Sequence, residues 1–250
     1  MTKRGATLLA VLALATHATA QFTPTAQSAR NSALGGCLIL QPETGTQLDL
    51  GWRQGYLSQG MATKTLQATI PVGKTTTAYA GYSHFGDAVY HEQQATAAYA
   101  IMLNRQITVG VYGQYSNIGT DDAHYKPQHW LDAGVVLTAA AGDRTGAYLV
   151  AGSRHWDTDR PLGGRIGATY SPTDGLLTVA ELAIEERTRL RCGLEYTYEK
   201  RYSARAGLST NPLVMTFGVG YKIKNYHIDL STEVHQVLGL SPQITLGLCL

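Results

Sequence analysis

Apolar and polar residues alternate one by one along the C-terminal quarter of this 250-residue chain. Between 187 and 198, Arg187, Arg189, Arg191 and Glu195 fall on one parity, while Thr188, Leu190, Cys192, Leu194, Tyr196 and Tyr198 fall on the other. Side chains in a strand point alternately to opposite faces, so the segment predicts a strand with one wet and one greasy face. The grammar repeats. Arg201, Ser203, Arg205 and Ser209 oppose Tyr202, Ala204, Ala206 and Leu208, and Met215, Phe217, Val219 and Tyr221 alternate with Thr216, Gly218, Gly220 and Lys222. Further on, Tyr226, Ile228, Leu230 and Val234 alternate with His227, Asp229, Ser231 and Glu233, and Ile244, Leu246, Leu248 and Leu250 share one parity.

Alternation alone fits a soluble β-sandwich as well as a barrel in lipid, and the N-terminal residues separate the two. Lys3 and Arg4 precede an apolar run from Ala6 to Ala15, and Ala18-Thr19-Ala20 stands before Gln21. This is the pattern of a cleaved secretory signal peptide over residues 1–20. After it, no apolar run approaches the roughly eighteen residues that a spanning helix needs. An exported chain with alternating segments can still cross a bilayer as a closed barrel, which satisfies every strand's backbone internally. The predicted fold is therefore all-β, a transmembrane antiparallel up-and-down β-barrel over residues 45–250. Residues 21–44 form a non-strand leader at or inside the periplasmic mouth, a candidate plug. A secreted sandwich is the competing expectation, and it would need no detergent.

Turn signals divide the barrel region into about fourteen strands. Short connections are expected at 72–75, 103–106, 141–144, 171–175, 199–201 and 223–225. Longer ones fall near 56–60, 85–91, 117–128, 155–163 and 236–241, with briefer links at 185–188 and 210–212. Outer-membrane barrels have short periplasmic turns and longer external loops. Trp52, Trp130 and Trp156 lie near the longer connections, and Tyr170, Tyr198, Tyr202, Tyr221 and Tyr226 flank the short ones. Such residues form girdles at the two membrane interfaces.

Several stretches resemble the PorV-like branch of the FadL superfamily of outer-membrane barrels. They are Ser28-Ala29-Arg30 ahead of Ala33-Leu34-Gly35-Gly36, then Gly193-Leu194-Glu195-Tyr196, Arg205-Ala206-Gly207 before Pro212, and Phe217-Gly218-Val219-Gly220-Tyr221. In the last hairpin the matching residues are Asp229, His235, Leu238-Gly239, Ser241 and Ile244-Thr245-Leu246. The resemblance implies a barrel of about fourteen strands in the bacterial outer membrane. It implies one of two roles, passage of hydrophobic compounds as in FadL, or service to type IX secretion as in PorV and PorQ. The Asn-Pro-Ala that usually follows the Leu-Gly-Gly segment is absent, and the external loops are short for a lid that holds partners. The expected function is passage or binding of a small or hydrophobic compound. The alternative is a scaffold subunit of a secretion or envelope assembly. Expected partners are outer-membrane lipid, such a ligand, or secretion and envelope proteins.

The charges refine this picture. Arg187, Arg189, Arg191, Glu195, Arg205, Asp229 and Glu233 share one face. Arg or Lys facing lipid near the midplane costs roughly 2–4 kcal/mol, so that face is expected to be the lumen. Two readings of it stay open: a salt-bridge lattice that fills a narrow barrel, or a polar path where Arg side chains fork onto carboxylate or phosphate. Glycine at 27 positions, 15 Tyr, 3 Phe and 15% charged residues suit a wall with unlike faces, and a net charge of +2 gives nucleic acid little to bind.

Enzyme signatures are missing. There is no G-x-S-x-G, H-E-x-x-H or dinucleotide fingerprint, and Gly73-Lys74-Thr75 echoes a P-loop whose earlier glycine is Ala68. Ser153 and His155 share a strand face as a membrane lipid hydrolase would require, but the match is short. His84, His91, His124, His129, His155 and His235 collect near the external ends without ligand spacing, so no metal or cofactor is expected. Cys37, Cys192 and Cys249 give no disulfide framework. Leu34-Gly35-Gly36-Cys37 looks like a lipoprotein box, but polar residues at 21–32 separate it from the apolar signal core.

Overall fold

The computed structural model describes residues 28–40, 45–58, 60–87, 89–120, 126–153, 162–184 and 188–250. The expected signal peptide lies outside the described residues, as do Arg187, His124, His155 and Trp156.

Each alternating segment forms a strand: β1 (Gln47–Gln54), β2 (Ala62–Pro71), β3 (Thr76–Gly86), β4 (Tyr90–Met102), β5 (Ile107–Thr120), β6 (Gln128–Ala141) and β7 (Thr145–Gly152). They are followed by β8 (Gly163–Thr173), β9 (Leu176–Ile184), β10 (Thr188–Tyr198), β11 (Tyr202–Ser209), β12 (Val214–Ile223), β13 (Tyr226–His235) and β14 (Gly239–Cys249). Every strand pairs antiparallel with its sequence neighbours, and β1 closes the circle against β14, with Trp52 opposite Ile244 and Leu50 opposite Leu246. Closure removes the sheet edge, whose unpaired N–H and C=O groups lipid could not satisfy.

Several connections are shorter than expected, among them 85–91 and 236–241, and two show why. The loop expected at 117–128 is partly strand, with Asn117 opposite His129 and Ile118 opposite Gln128. Polar residues at a strand end report the surroundings of the side chains, and the backbone ladder runs on past them. The turn expected at 171–175 shrinks to Asp174-Gly175, and a register shift between Tyr170 and Thr173 takes up the extra residues.

The faces sort as the parity demands. In β10, Arg191 and Glu195 are buried at 3% and 6% exposure, while Leu190, Leu194 and Tyr196 on the other parity are about half exposed. A soluble sandwich would bury the leucines and expose the charges. Around the outside, Leu66, Val111, Leu131, Val135, Ile166, Phe217, Val219 and Leu230 are exposed, the apolar belt of a membrane-spanning barrel. Tyr170, Tyr198, Tyr202, Tyr221 and Tyr226 are exposed at the ends with short turns, with the Tyr202 and Tyr221 rings 5.1 Å apart. Trp130 does not join the girdle at the other end. It stands opposite the buried Ser116 and shares the parity of buried Asp132, so it belongs to the lumen face.

Inside the wall lies part of the leader. Helix α1 (Ala29–Ala33) starts at Ser28, whose hydroxyl accepts the Asn31 N–H, and stops where Gly35 and Gly36 take φ of 74° and 79°. The Gly36 N–H returns to the Asn31 carbonyl and closes the end of the helix. Ala29, Ala33, Leu34 and Cys37 are fully buried, and Leu34 and Cys37 pack with Val179 of β9 and Ile39.

Candidate functional site

Glycines on the lumen face make the seat for the leader. Gly193 of β10 and Gly207 of β11 stand opposite each other in register. A Cβ on Gly193 would lie 2.8 Å from Leu34, and one on Gly207 would lie 2.2 Å from the Gly35 nitrogen. Any larger residue at either position would displace the chain that lies across them. Hydrogen bonds complete the seat. The Thr216 hydroxyl donates to the Ala33 carbonyl at 2.8 Å and accepts the Gly35 N–H at 3.0 Å, and the Thr245 hydroxyl accepts the Ala29 N–H at 2.9 Å. The Ser32 hydroxyl donates to Glu233 at 2.7 Å.

Of the charges expected on the lumen face, Arg187 lies outside the described residues and the others are there, in or beside three groups. In the first, Arg30 of the leader forks onto both oxygens of Glu195 at 2.8 and 2.7 Å. Arg205 also donates to Glu195, at 2.5 Å, and pairs with Asp229, and His227 lies 3.3 Å from Asp49. In the second, the Glu181 carboxylate accepts from Arg191 at 2.7 Å, from the Tyr148 hydroxyl at 2.5 Å and from the Leu38 N–H at 3.0 Å. In the third, Glu233 holds Arg53 at 2.6 Å beside Ser32. Arg189 shares the lumen parity of Arg191 in β10.

Several of these partners are not among the residues that strand alternation singled out. Glu181 is the single charge in the otherwise apolar or small strand Leu-Leu-Thr-Val-Ala-Glu-Leu-Ala-Ile, which could have marked it as needing a cation. Arg30 and Arg53 belong to segments whose path across the lumen is a matter of tertiary structure. Near the leader, burial and the Glu181 carboxylate push the Cys37 thiol up to about 12, so it stays protonated at neutral pH. The described residues hold no group of three or more side chains fit to bind a metal ion. The Ser153 hydroxyl turns back to the Ala133 backbone at 3.4 Å, and its expected partner His155 lies outside the described residues.

Between the leader and the facing wall of β2–β8 the lumen keeps a cavity of about 700 Å³. It extends from Lys200 and Lys222, beside the short turns, to Ser153 and Gly163 near the opposite rim. Of the expected path residues, Glu195, Arg205 and Asp229 line it. Arg191 and Glu233 instead bind the leader. The far wall is different in kind. It presents Gln67, Gln94 and Gln114, the hydroxyls of Thr96, Ser116 and Thr138, and the rings of Tyr79 and Tyr112, with Asp132 and Arg165 as its charges.

No protein-family model and no curated protein matches this chain. Solved structures do match it in fold. The structure described as the Pseudomonas putida toluene transporter TodX superposes with a TM-score of 0.63 at 12% identity, covering 90% of this chain and 98% of that one. The CymD monoaromatic hydrocarbon channel gives a TM-score of 0.62 at 10% identity, covering 84% of this chain and 89% of its own. The Acinetobacter baumannii outer membrane protein Omp33 gives 0.58 at 10% identity, with 82% and 98% covered. At these identities the likeness is one of fold: this chain is a closed, fourteen-stranded antiparallel barrel of the membrane-spanning kind.

Proposed function

We propose that this barrel resides in the bacterial outer membrane, exported by a signal peptide cleaved after Ala20, and passes a small, largely apolar compound through its lumen. The observation that carries the reading is the cavity. The leader occupies the lumen along β9–β14, yet about 700 Å³ stays open along the facing wall, within the size range of ligand sites. Leu38, Ile39, Val136 and Val150 give it apolar surface beside the polar groups. TodX and CymD, which share the fold, are described as a toluene transporter and a monoaromatic hydrocarbon channel. In this reading residues 28–40 act as a plug. Glu195, Arg205 and Asp229 border the path, and because each is paired they hold its shape more than they attract ions.

The test uses equilibrium dialysis of p-xylene and p-cresol against the purified barrel in detergent, with protein-free micelles subtracting partition. Saturable binding of at least one ligand is expected, and filling the cavity with Val136→Trp should abolish it. Absence of saturable binding of both ligands would overturn the reading. A heat-modifiable band in the outer-membrane fraction, with a mass that begins at Gln21, is the expected result for location and processing.

The motifs shared with the PorV-like branch support kinship in how the leader is seated. Ala33-Leu34-Gly35-Gly36 is the segment that lies on Gly193 and Gly207, and Phe217–Tyr221 is barrel wall. They favour no scaffold role in secretion.

A further inference from the structure

We infer that the compound bound in this cavity is uncharged and carries a hydrogen-bond donor, so that small hydroxylated compounds are its substrate class and bare hydrocarbons are not. The inference rests on the cavity being a ligand path, and it goes further in naming what the wall selects.

The wall is built for hydrogen bonding at one place. Gln94 of β4 stands opposite Ser116 of β5, and Gln114 of β5 stands opposite Thr96. Gln114 accepts from the Thr96 hydroxyl at 3.4 Å and donates to the Ser116 hydroxyl at 3.3 Å. Gln94, beside this rung, is 6% exposed, and its side-chain oxygen has no hydrogen-bond partner among the described residues. A buried acceptor without a donor is uncommon and costly. Gln94 lines the cavity. The terminal torsion of a glutamine amide is broad, so a small rotation presents that oxygen to a ligand.

The charges point to a neutral occupant. Arg30 and Arg205 on the leader side of the cavity are bound to carboxylates, and Asp132 and Arg165, the charges that line it on the facing wall, are not free of partners. Lys200 and Lys222 stand at the short-turn end, whereas Gln94 lies in the opposite half of its strand. A hydrocarbon pressed on this wall would exclude water from its amide and hydroxyl groups and return no hydrogen bond. Sites built on polar groups reject analogues that lack the matching group far more strongly than apolar pockets reject a changed methylene.

The two ligands of the dialysis differ only in that p-cresol carries a hydroxyl where p-xylene has a methyl, and at pH 7 the phenol is protonated, like the tyrosine hydroxyl with its pKa of about 10. The expected result is p-cresol binding about tenfold more tightly than p-xylene, the size of one restored hydrogen bond. Gln94→Leu should remove that preference by weakening p-cresol while leaving p-xylene unchanged or tighter. Equal or tighter binding of p-xylene to the unmodified barrel would overturn the inference and leave the proposed path standing. So would a Gln94→Leu barrel that keeps the preference, or that loses both ligands alike. Saturable binding of neither ligand would overturn both. The comparison in the unmodified protein decides the matter even if the variant does not fold.

Discussion

Along β9–β14 the lumen wall carries paired charges and glycines and is covered by the leader; along β2–β6 it carries chiefly amides and hydroxyls, with Asp132 among them, and faces open space. Both sides are polar and both alternate with an apolar exterior, yet they meet different demands. Where protein lies on the wall, Glu195, Glu181 and Glu233 each hold an arginine, and the close approach is made by removing side chains at Gly193 and Gly207. Where the wall meets the cavity, amides and hydroxyls outnumber the charges, and one acceptor, on Gln94, is left without a donor. A lumen can thus be polar for two reasons, to hold a piece of its own chain or to meet a solute.

The sharpest way to break the comparison is to unpair a charge on the covered side. Glu181→Ala leaves Arg191 buried at 3% exposure without its carboxylate and also removes the acceptor of Tyr148 and Leu38. Breaking a buried pair costs about 3–5 kcal/mol, so the urea midpoint of the barrel in lipid vesicles should fall clearly. An unchanged midpoint would mean that the charged side is not what holds the lumen together.

Next in size is the release of the leader. Gly207→Val places a side chain where the Gly35 backbone now runs, 2.2 Å from its nitrogen, and the leader should leave its seat while the wall stays closed. Cys37 reports this directly. It is fully buried and its thiol is held protonated at neutral pH, so in a Cys192→Ser, Cys249→Ser background it should resist maleimide. It should label rapidly in Gly207→Val, and continued protection would show that the seat tolerates the valine.

A smaller effect is expected from Arg30→Ala. Glu195 loses a two-pronged partner but keeps Arg205, so the leader should be loosened by about 1.5 kcal/mol, the lower figure for hydrogen bonds to a charged group. Partial Cys37 labelling is the readout. The smallest change should come from the open side: Thr138→Val removes a hydroxyl that faces the cavity, and stability should move by less than about 0.5 kcal/mol with Cys37 still protected. If Thr138→Val loosened the leader as much as Arg30→Ala, the division of the lumen into a covered and an open side would fail.

Much of the fold could be read along the chain because strand alternation is local. The short turns at 72–75, 103–106 and 199–201 lie where the punctuation placed them, and Arg191, Glu195, Arg205 and Asp229 are on the lumen face that their parity required. Trp130 departs from expectation for a reason that parity itself contains. Its position near a loop suggested a girdle, while its step of two from Asp132 placed it inside. The site was less legible. Sequence could put Arg205, Glu195 and Asp229 on one side, but not say that Arg205 bridges the two carboxylates, nor that Arg30 arrives from the leader, 165 residues away in sequence, to hold one of them.

What the sequence by itself determined is the two-faced strand and its repetition: a period of two needs only neighbouring residues, and lipid on one side with a wet lumen on the other reads it without further help. Closure followed, since an open edge has no partner in a membrane. Tertiary structure alone decided which part of the lumen is filled and which is open. That outcome depends on contacts between the leader and strands far along the chain, such as Ala29 with Thr245, Ser32 with Glu233 and Gly35 with Gly207. No local pattern encodes such pairings, because the leader's side chains have no wall to match until the barrel has closed around them.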